Sequence, residues 1–355
     1  MNNDRIQEIL DLMEEARLDY FLISDPQSIA YCTGYYNDPH ERMFVFMVSK
    51  HGNHTLFMND LFYLEHDLDV NIVWHKDGQD AIQTIVDEMH FPGRIGIDKN
   101  WASHFLLDLM KKLPDAKYIN ASPCVDLVRM KKDLQEQVLM IESSKINDAV
   151  MEEIIPFIQE GVTEKQLAKK LDELFFNHHS TCYGAIVAFG KNAADPHHEN
   201  DDTPLRKGDC VLIDMGCVYK GYCSDMTRTF FYEGILEGEI KVYEIVKKAN
   251  EAAEAMIKPG VKLSDIDKCA RKVISDEGYG KYFTHRLGHF IGRDVHEYGD
   301  VSSVNEMEVE EGMIFSIEPG IYLEGNFGVR VEDLVMVTKD GCQVLNSFTK
   351  DIYII

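Results

Sequence analysis

Two widely separated segments of this chain share one sequence pattern. Each pattern has one acid near the end of the segment and a second acid shortly after it. The first, Gly208–Gly216, reads GDCVLIDMG, and the second, Gly312–Gly320, reads GMIFSIEPG. Each is followed by a tyrosine, a glycine and a further acid. The acids at matching places are Asp214, Asp225, Glu318 and Glu332. Because the histidine-rich stretch His285–Glu297 lies between the two segments, the sequence predicts a binuclear metal site about a pseudo-two-fold axis.

The spacing of the acids predicts that they share one cavity. Successive strand residues face opposite sides of a sheet, so Asp214 should point away from its apolar neighbours Ile213 and Met215. Four carboxylates in one cavity repel one another unless cations neutralise them. The predicted ligands are Asp214, Asp225, His289, Glu318 and Glu332. This mixture of oxygen and imidazole donors suits Mn²⁺, Co²⁺, Fe²⁺ or Zn²⁺ and excludes a thiolate zinc site.

The composition limits the classes of protein to which this chain can belong. The 355 residues are enough for two domains, and no apolar run reaches the roughly 20 residues that cross a bilayer. The net charge of −25 argues against nucleic acid or an anionic membrane as partner. The eight cysteines form no Cys-x-x-Cys pair, which favours a reducing compartment. We therefore expect a soluble, cytoplasmic protein.

The first part of the chain reads as an α/β layer domain. Over residues 1–125, short apolar runs such as Tyr20–Ile23 and Thr55–Met58 alternate with helical patterns near residues 78–90 and 102–112. The predicted fold class is thus α/β (α+β), with this small domain preceding a second one.

Residues 126–355 are predicted to form the second domain, which carries the repeat. Gly161–Ala168 matches Gly260–Asp267 as a turn that enters a helix. Thr163 should begin a capping box, and Ser264 should cap the equivalent helix. The domain begins with a long helix. The predicted apolar stripe of this helix is Leu134, Val138, Ile141 and Ile146.

Six motifs, in order along the chain, carry a family resemblance. They are Leu212–Gly216, Ser224–Phe230, Gly288–Gly292, Val295–Glu297, Ser316–Tyr322 and Gly328–Asp333. They resemble those of the metallopeptidase family of prolidase, aminopeptidase P and methionine aminopeptidase, and the resemblance covers essentially the whole chain. It implies a creatinase-like N-terminal domain, a "pita-bread" catalytic domain with two divalent metal ions, most readily Mn²⁺, and a homodimer.

The resemblance also implies roles for individual residues. Asp214 would hold one metal, His289 and Glu318 would complete the other, and Asp225 and Glu332 would bridge both. Glu318 would also move a proton to the leaving nitrogen. His197 and His296 would bind substrate and stabilise the charge that develops on the scissile carbonyl. Arg330 would orient the carboxylates. The implied reaction is peptide hydrolysis by a hydroxide held between the metals.

The same resemblance indicates a substrate class. Asn37–Arg42 resembles a segment of bacterial proline dipeptidases, which favours small Xaa-Pro dipeptides. A dipeptide carboxylate needs a cation, for which Arg293, or Arg42 of the partner subunit, is predicted. Prolidases of the human type carry an arginine within the stretch that corresponds to 298–312, and this chain has none there. The alternatives are an Xaa-Pro aminopeptidase of longer peptides, a non-catalytic binding protein, and metal-free chemistry of the creatinase kind.

Overall fold

The chain forms two units, each with its own core. The computed structural model describes residues 1–65, 67–90 and 92–355. Unit 1 spans Met1–Arg129 and unit 2 spans Met130–Ile355. The chain passes from one unit to the other at the end of helix α5, Pro123–Met130.

Unit 1 is the predicted α/β layer domain. Its helices are α1 Asn3–Glu15, α2 Pro26–Thr33, α3 Ala81–Glu88, α4 Ser103–Lys112 and α5 Pro123–Met130. Its strands are β1 Tyr20–Ile23, β2 Val45–Ser49, β3 Thr55–Asn59, β4 Asn71–His75, β5 Arg94–Ile97 and β6 Lys117–Asn120. They form one mixed sheet in the order β4-β3-β2-β1-β5-β6. Strand β1 pairs antiparallel with β2 and parallel with β5.

Helices cover both faces of this sheet. Phe21 and Ile23 of β1 pack in one core cluster with residues of α1, α2 and α5, while Tyr20 and Leu22 pack in another with residues of α3 and α4. All four residues are buried. A strand that is covered on both sides has no solvent face to mark with polar residues, which explains its uninterrupted apolar sequence.

Unit 2 contains the predicted internal repeat. Its helices are α6 Leu134–Ile154, α7 Glu164–Asn177, α8 Glu237–Glu254 and α9 Leu263–Asp276. Its strands are β7 Thr181–Cys182, β8 Ile186–Phe189, β9 Cys210–Met215, β10 Cys217–Tyr219, β11 Tyr222–Cys223, β12 Met226–Phe231, β13 Gly288–His289, β14 Asp300–Val301, β15 Ile314–Ile317, β16 Gly320–Leu323, β17 Phe327–Arg330, β18 Asp333–Val337 and β19 Cys342–Val344. In each half, two packed helices precede a long antiparallel strand pair, β9–β12 or β15–β18, with a short hairpin between its strands. The predicted repeat is confirmed.

The repeat brings the acids to equivalent ends of the two strand pairs. In the first pair, Asp214 lies opposite Thr227, and Asp225 immediately precedes β12. In the second, Glu318 immediately follows β15 and Glu332 immediately precedes β18. The carboxylates therefore cluster where each short hairpin leaves its long strand pair.

The apolar stripe predicted for α6 is confirmed at two of its four positions. Ile141 and Ile146 are partly buried against apolar cores. Leu134 and Val138 are 79% and 53% exposed, whereas the buried face includes Ser143 and Asn147. Ser143 Oγ donates to the carbonyl of Tyr222 at 3.2 Å, and Asn147 Nδ2 donates to that of Met215 at 3.0 Å. The helix also buries Met140, Val150, Met151 and Ile154 in apolar cores, so its buried face mixes apolar residues with polar residues that bond to strand carbonyls. Within the described residues, no helix combines the length and apolar character that a membrane span requires.

One of the two predicted helix caps is confirmed. Thr163 accepts from the backbone N–H of Gln166, whose side chain accepts from the N–H of Thr163, and α7 begins there. Ser264 is not a cap. It lies inside α9, which follows Lys262, and its hydroxyl donates to Glu306.

Candidate functional site

A cavity of about 510 Å³ in unit 2 collects the residues that the motifs singled out. Of the site residues predicted within one chain, all except Arg293 line it. The four acids come from the two strand pairs, and His289 comes from β13, which lies between them in sequence.

Three of the predicted ligands form a compact buried group. Asp225, His289 and Glu332 each offer one donor atom, and these atoms lie within 4.8 Å of one another. His289 Nε2 is 3.6 Å from Asp225 Oδ2 and 3.7 Å from Glu318 Oε1. One imidazole nitrogen thus faces carboxylates from both halves of the repeat.

The surroundings of His289 fix which nitrogen faces the cavity. Its Nδ1 lies 3.2 Å from the carbonyl of Phe290, so a proton on Nδ1 leaves Nε2 as an acceptor. Its backbone N–H donates to Ser316 Oγ at 3.0 Å, and that hydroxyl donates to Glu318 Oε1 at 3.3 Å. Burial lowers the pKa of His289 to about 3. The imidazole is therefore neutral, as a metal ligand must be.

The carboxylates are in an environment that disfavours their ionised form unless a cation is close. Burial raises the pKa of Glu318 to about 7. Burial, and next the charges of neighbouring acids, raise the pKa values of Asp225 and Glu332 well above their ordinary range. These groups cannot all ionise at neutral pH without positive charge among them. The set of carboxylate oxygens and one neutral imidazole therefore fits divalent cations.

Arg330 and Thr227 connect the acids of the two halves. Arg330 Nη2 donates to Asp214 Oδ2 at 2.6 Å, Nη1 donates to the hydroxyl of Tyr322 at 3.0 Å, and Nε donates to Thr227 Oγ1 at 3.1 Å. The Thr227 hydroxyl in turn donates to Glu332 Oε2 at 2.6 Å. Because Arg330 and Thr227 are almost fully buried, these bonds fix the orientation of two carboxylates.

Two histidines face the cavity from its more exposed side. The ring of His296 lies 4.2 Å from that of His289, edge to face, and burial lowers the pKa of His296. His197 is exposed on the loop that follows Ala194, where its backbone N–H donates to Asp195 Oδ1 at 3.1 Å. Its neighbour His198 is held by Glu164, with Nε2 and Oε2 2.7 Å apart.

Of the two arginines predicted to bind a substrate carboxylate, Arg293 does not line the cavity, and the role of Arg42 in the partner subunit stays a prediction. The guanidinium of Arg293 lies 5.4 Å from the ring centre of Tyr222, close to Gly221. Arg42 belongs to unit 1, where its Nε and Nη2 bind the two carboxylate oxygens of Asp77 at 3.0 and 2.9 Å. Arg286, which the sequence did not single out, lines the cavity.

Gly216 lies between β9 and β10, and its counterpart Gly320 begins β16. Neither has a positive φ. A Cβ on Gly216 would lie 2.0 Å from the hydroxyl of Tyr183, and one on Gly320 would lie 2.3 Å from that of Tyr322. These matching glycines make room for tyrosine hydroxyls beside the acids.

Several residues around the site had no signal of their own in the sequence. Tyr183 lines the cavity and donates to the carbonyl of Ser224 at 2.8 Å, yet it stands in no motif. Glu164 appeared only as part of a turn that enters a helix. Tyr322 was the exception, because its place after Gly320 in the repeat marked it.

Comparisons with known proteins agree with this arrangement. Residues 138–339 match the model of metallopeptidase family M24, and residues 5–131 match the creatinase/prolidase N-terminal domain. An uncharacterized peptidase of Staphylococcus aureus is 34% identical, over 98% of this chain and 99% of its own.

Two solved structures resemble the whole chain. A dipeptidase from Pyrococcus horikoshii is 35% identical, with a TM-score of 0.92 over 99% of this chain and 100% of its own. A prolidase from Thermococcus sibiricus is 32% identical, with a TM-score of 0.94 over 100% of this chain and 99% of its own. The chain therefore belongs to metallopeptidase family M24, with a creatinase/prolidase-type domain before its catalytic domain.

Proposed function

We propose that this peptidase is an Xaa-Pro dipeptidase that depends on two divalent metal ions. The observation that carries the proposal is the cavity that joins four carboxylates, a neutral imidazole and three further histidines. The likeness to a dipeptidase and a prolidase over the whole chain supports the choice of substrate.

The residues that would hold the two ions are those that share the buried end of the cavity. They are Asp214, Asp225, His289, Glu318 and Glu332. When bound, such ions polarise a carbonyl and make a water molecule nucleophilic near neutral pH. We propose Mn²⁺, although Co²⁺, Zn²⁺ and Fe²⁺ suit the same donors.

Side chains of the protein would bind and orient the substrate and would move protons. His197 and His296, which are the exposed histidines of the cavity lining, hydrogen-bond the scissile carbonyl and stabilise the negative charge that develops on its oxygen. The Glu318 carboxylate carries a proton to the leaving nitrogen of proline. Arg330 and Thr227 hold Asp214 and Glu332 in place throughout.

We further propose that the protein is cytoplasmic and forms a homodimer. The acidic composition and scattered, unpaired cysteines support the first. The second rests on the family resemblance, and sedimentation of the pure protein with and without metal would test it.

The decisive experiment measures release of free proline from Leu-Pro and of alanine from Ala-Pro-Ala, using metal-stripped protein with and without Mn²⁺. Metal-dependent cleavage of Leu-Pro with little cleavage of the tripeptide is the expected result. Preferential cleavage of Ala-Pro-Ala would make the protein an Xaa-Pro aminopeptidase. No cleavage of either peptide by metal-loaded protein would overturn the proposed substrate class.

A further inference from the structure

A buried ion pair includes the residue that follows His296 in the chain. Lys132 Nζ donates to Glu297 Oε2 at 3.0 Å, and 1% and 5% of the two side chains are exposed. Lys132 comes from the segment between α5 and α6, far from Glu297 in the sequence. A buried charge is costly unless it is paired, so each of these two side chains depends on the other.

The Glu297 carboxylate closes the loop Gly292–Glu297. Its Oε1 accepts from the backbone N–H of Arg293 at 2.9 Å, and the N–H of Glu297 donates to the carbonyl of Phe290 at 2.9 Å. Both carboxylate oxygens also lie close to Gly292, where a Cβ would come within 2.7 Å of each. Because the side chain at the end of the loop contacts its beginning, the carboxylate fixes the course of the whole loop.

The other member of the pair is held by hydrogen bonds on both sides of its backbone. The N–H of Lys132 donates to the carbonyl of Gly312 at 2.8 Å, and its own carbonyl accepts from Gln137 Nε2 at 2.7 Å. The next residue, Asp133, caps the first turn of α6. The Lys132 side chain therefore extends from a fixed backbone and holds the Glu297 carboxylate in one place.

His296 lies within the loop that this pair closes. Its ring is 4.2 Å from that of His289, edge to face, and it lines the cavity. In the chain it stands between Arg293 and Glu297, which the Glu297 carboxylate joins. A displacement of about 1 Å in a group that acts on the reacting atoms can lower the rate about 100-fold. An imidazole that acts from a loop therefore needs that loop to be fixed.

We propose that Lys132 and Glu297 are positioning residues, whose ion pair holds His296 where its imidazole reaches the scissile carbonyl. This inference rests on the proposed function, since that function places His296 at the carbonyl. Neither Lys132 nor Glu297 lines the cavity. Loss of the pair should therefore act on the reaction through His296 and leave the metal ligands in place.

The test compares two variants of the pair with a control at the adjacent residue. Lys132→Met and Glu297→Gln each remove one charge and keep a side chain of similar length. Glu297→Gln also keeps an oxygen that can accept from Arg293, so it decides the test if Lys132→Met does not fold. Lys131→Met is the matched control, because Lys131 pairs with Glu310 at 2.5 Å but is 50% exposed, and exposed ion pairs contribute little to stability.

Four quantities are measured for wild type and each variant. They are kcat and KM for Leu-Pro, the Mn²⁺ concentration that restores half of the activity of stripped protein, and the melting temperature. Together they separate a change in the reaction from a loss of metal or of fold.

Two further measurements test whether the pair acts through His296. In full-length protein with isotope-labelled histidine, loaded with diamagnetic Zn²⁺, the nuclear Overhauser effect between the rings of His289 and His296 reports their distance without any turnover. Lys132→Met is also introduced into a His296→Asn background. If Lys132 acts through His296, its replacement costs nothing more once that imidazole is gone.

In Lys132→Met and Glu297→Gln we expect kcat for Leu-Pro to fall by about 10- to 100-fold. KM should change less, because the hydrogen bond to the carbonyl strengthens as negative charge develops. The Mn²⁺ requirement should stay near that of wild type, and the Overhauser effect should weaken or disappear. Lys131→Met should behave as wild type. In the His296→Asn background, Lys132→Met should lower kcat by less than about 2-fold.

Three results would overturn the proposal. They are an unchanged kcat and Overhauser effect in a folded variant of the pair, an equal loss from Lys132→Met with and without His296, and a loss of Mn²⁺ affinity as large as the loss of kcat. If wild type cleaves neither Leu-Pro nor Ala-Pro-Ala but Lys132→Met loses the Overhauser effect, the positioning of His296 stands and the proposed function fails. If wild type cleaves Leu-Pro and both variants keep its kcat, the function stands and the positioning role fails.

Discussion

Thr227 is the residue through which the two halves of the candidate site are joined. Its hydroxyl accepts from Arg330, which comes from the second half, and donates to Glu332 of that half. Thr227 itself belongs to β12 of the first half. Orientation of Glu332 therefore depends on a side chain from the opposite member of the repeat.

Replacing Thr227 with valine keeps the shape of the side chain and removes the hydroxyl. Glu332 then loses a hydrogen bond and Arg330 loses an acceptor, so we expect Mn²⁺ affinity to fall by about 10- to 100-fold. The measurement is the Mn²⁺ concentration that restores half of the activity of stripped protein. Thr227→Ser keeps the hydroxyl and should stay near wild type; equal losses in both variants would refute the role of the bond.

Asp225 tests the metal assignment itself. Asp225→Asn removes a charged donor from the group it forms with His289 and Glu332, so metal content and turnover should fall by more than the roughly 100-fold upper range of outer-shell changes. Metal analysis after dialysis and proline release measure the two effects. Asp276→Asn, on the exposed end of α9, is the control. Full metal content and activity in Asp225→Asn would refute the assignment.

At the scale of secondary-structure elements, Glu164 connects α7 to the loop that carries His197. Its carboxylate accepts from the N–H groups of Phe189 and Asp201 at 2.9 and 3.0 Å, and from Asn192 Nδ2 at 3.0 Å. It also lies 2.7 Å from His198 Nε2. Although Glu164, His198 and Asp201 are close enough to hold a metal, the Glu164 oxygens are already occupied by donors.

Glu164→Gln should therefore affect the loop and not the metal site. The amide nitrogen cannot accept the hydrogen bonds that one oxygen accepts now, which costs about 1–3 kcal/mol. We expect a lower melting temperature and a higher KM for Leu-Pro, with unchanged Mn²⁺ affinity. Glu173→Gln, exposed on the same helix, is the matched control. A change in Mn²⁺ affinity without a change in KM would contradict this view.

The sequence predicts an element well when the element's own residues determine its structure. It predicts an element poorly when contacts with other elements determine which residues are buried. The β9–β12 and β15–β18 pairs carry a duplicated pattern, so their acids could be aligned without a structure. The buried face of α6 could not, because Ser143 and Asn147 are buried by hydrogen bonds to strand carbonyls. Arg286 could not be distinguished either, since only the fold brings it to the lining of the cavity.

At the scale of the whole molecule, metal binding and protonation are linked. The raised carboxyl pKa values of Asp225, Glu318 and Glu332 mean that these groups hold protons that a metal must displace. His289, with a pKa of about 3, is already neutral and releases none. The protonated carboxyls are favoured below their raised pKa values, so apparent metal affinity should rise as pH increases through about 7.

Calorimetry of Mn²⁺ binding in buffers of different ionisation enthalpy measures this proton release. We expect more protons released at pH 6 than at pH 8. Glu254→Gln is the control, because burial also raises the pKa of Glu254 to about 7, but Glu254 pairs with Lys350 and does not line the cavity. A release that is independent of pH, or that falls in Glu254→Gln, would contradict the assignment to the cavity acids.

The duplicated strand pairs have a consequence for the lifetime of the protein. An ion shared by Asp225 and Glu332 would act as a crosslink between distant points of the chain, and closing so long a loop removes conformational freedom from the unfolded state. Local opening of either half would have to break the same crosslink. Chelation should therefore expose both halves of unit 2 to proteases together, so that metal supply sets how long each molecule survives as well as whether it works.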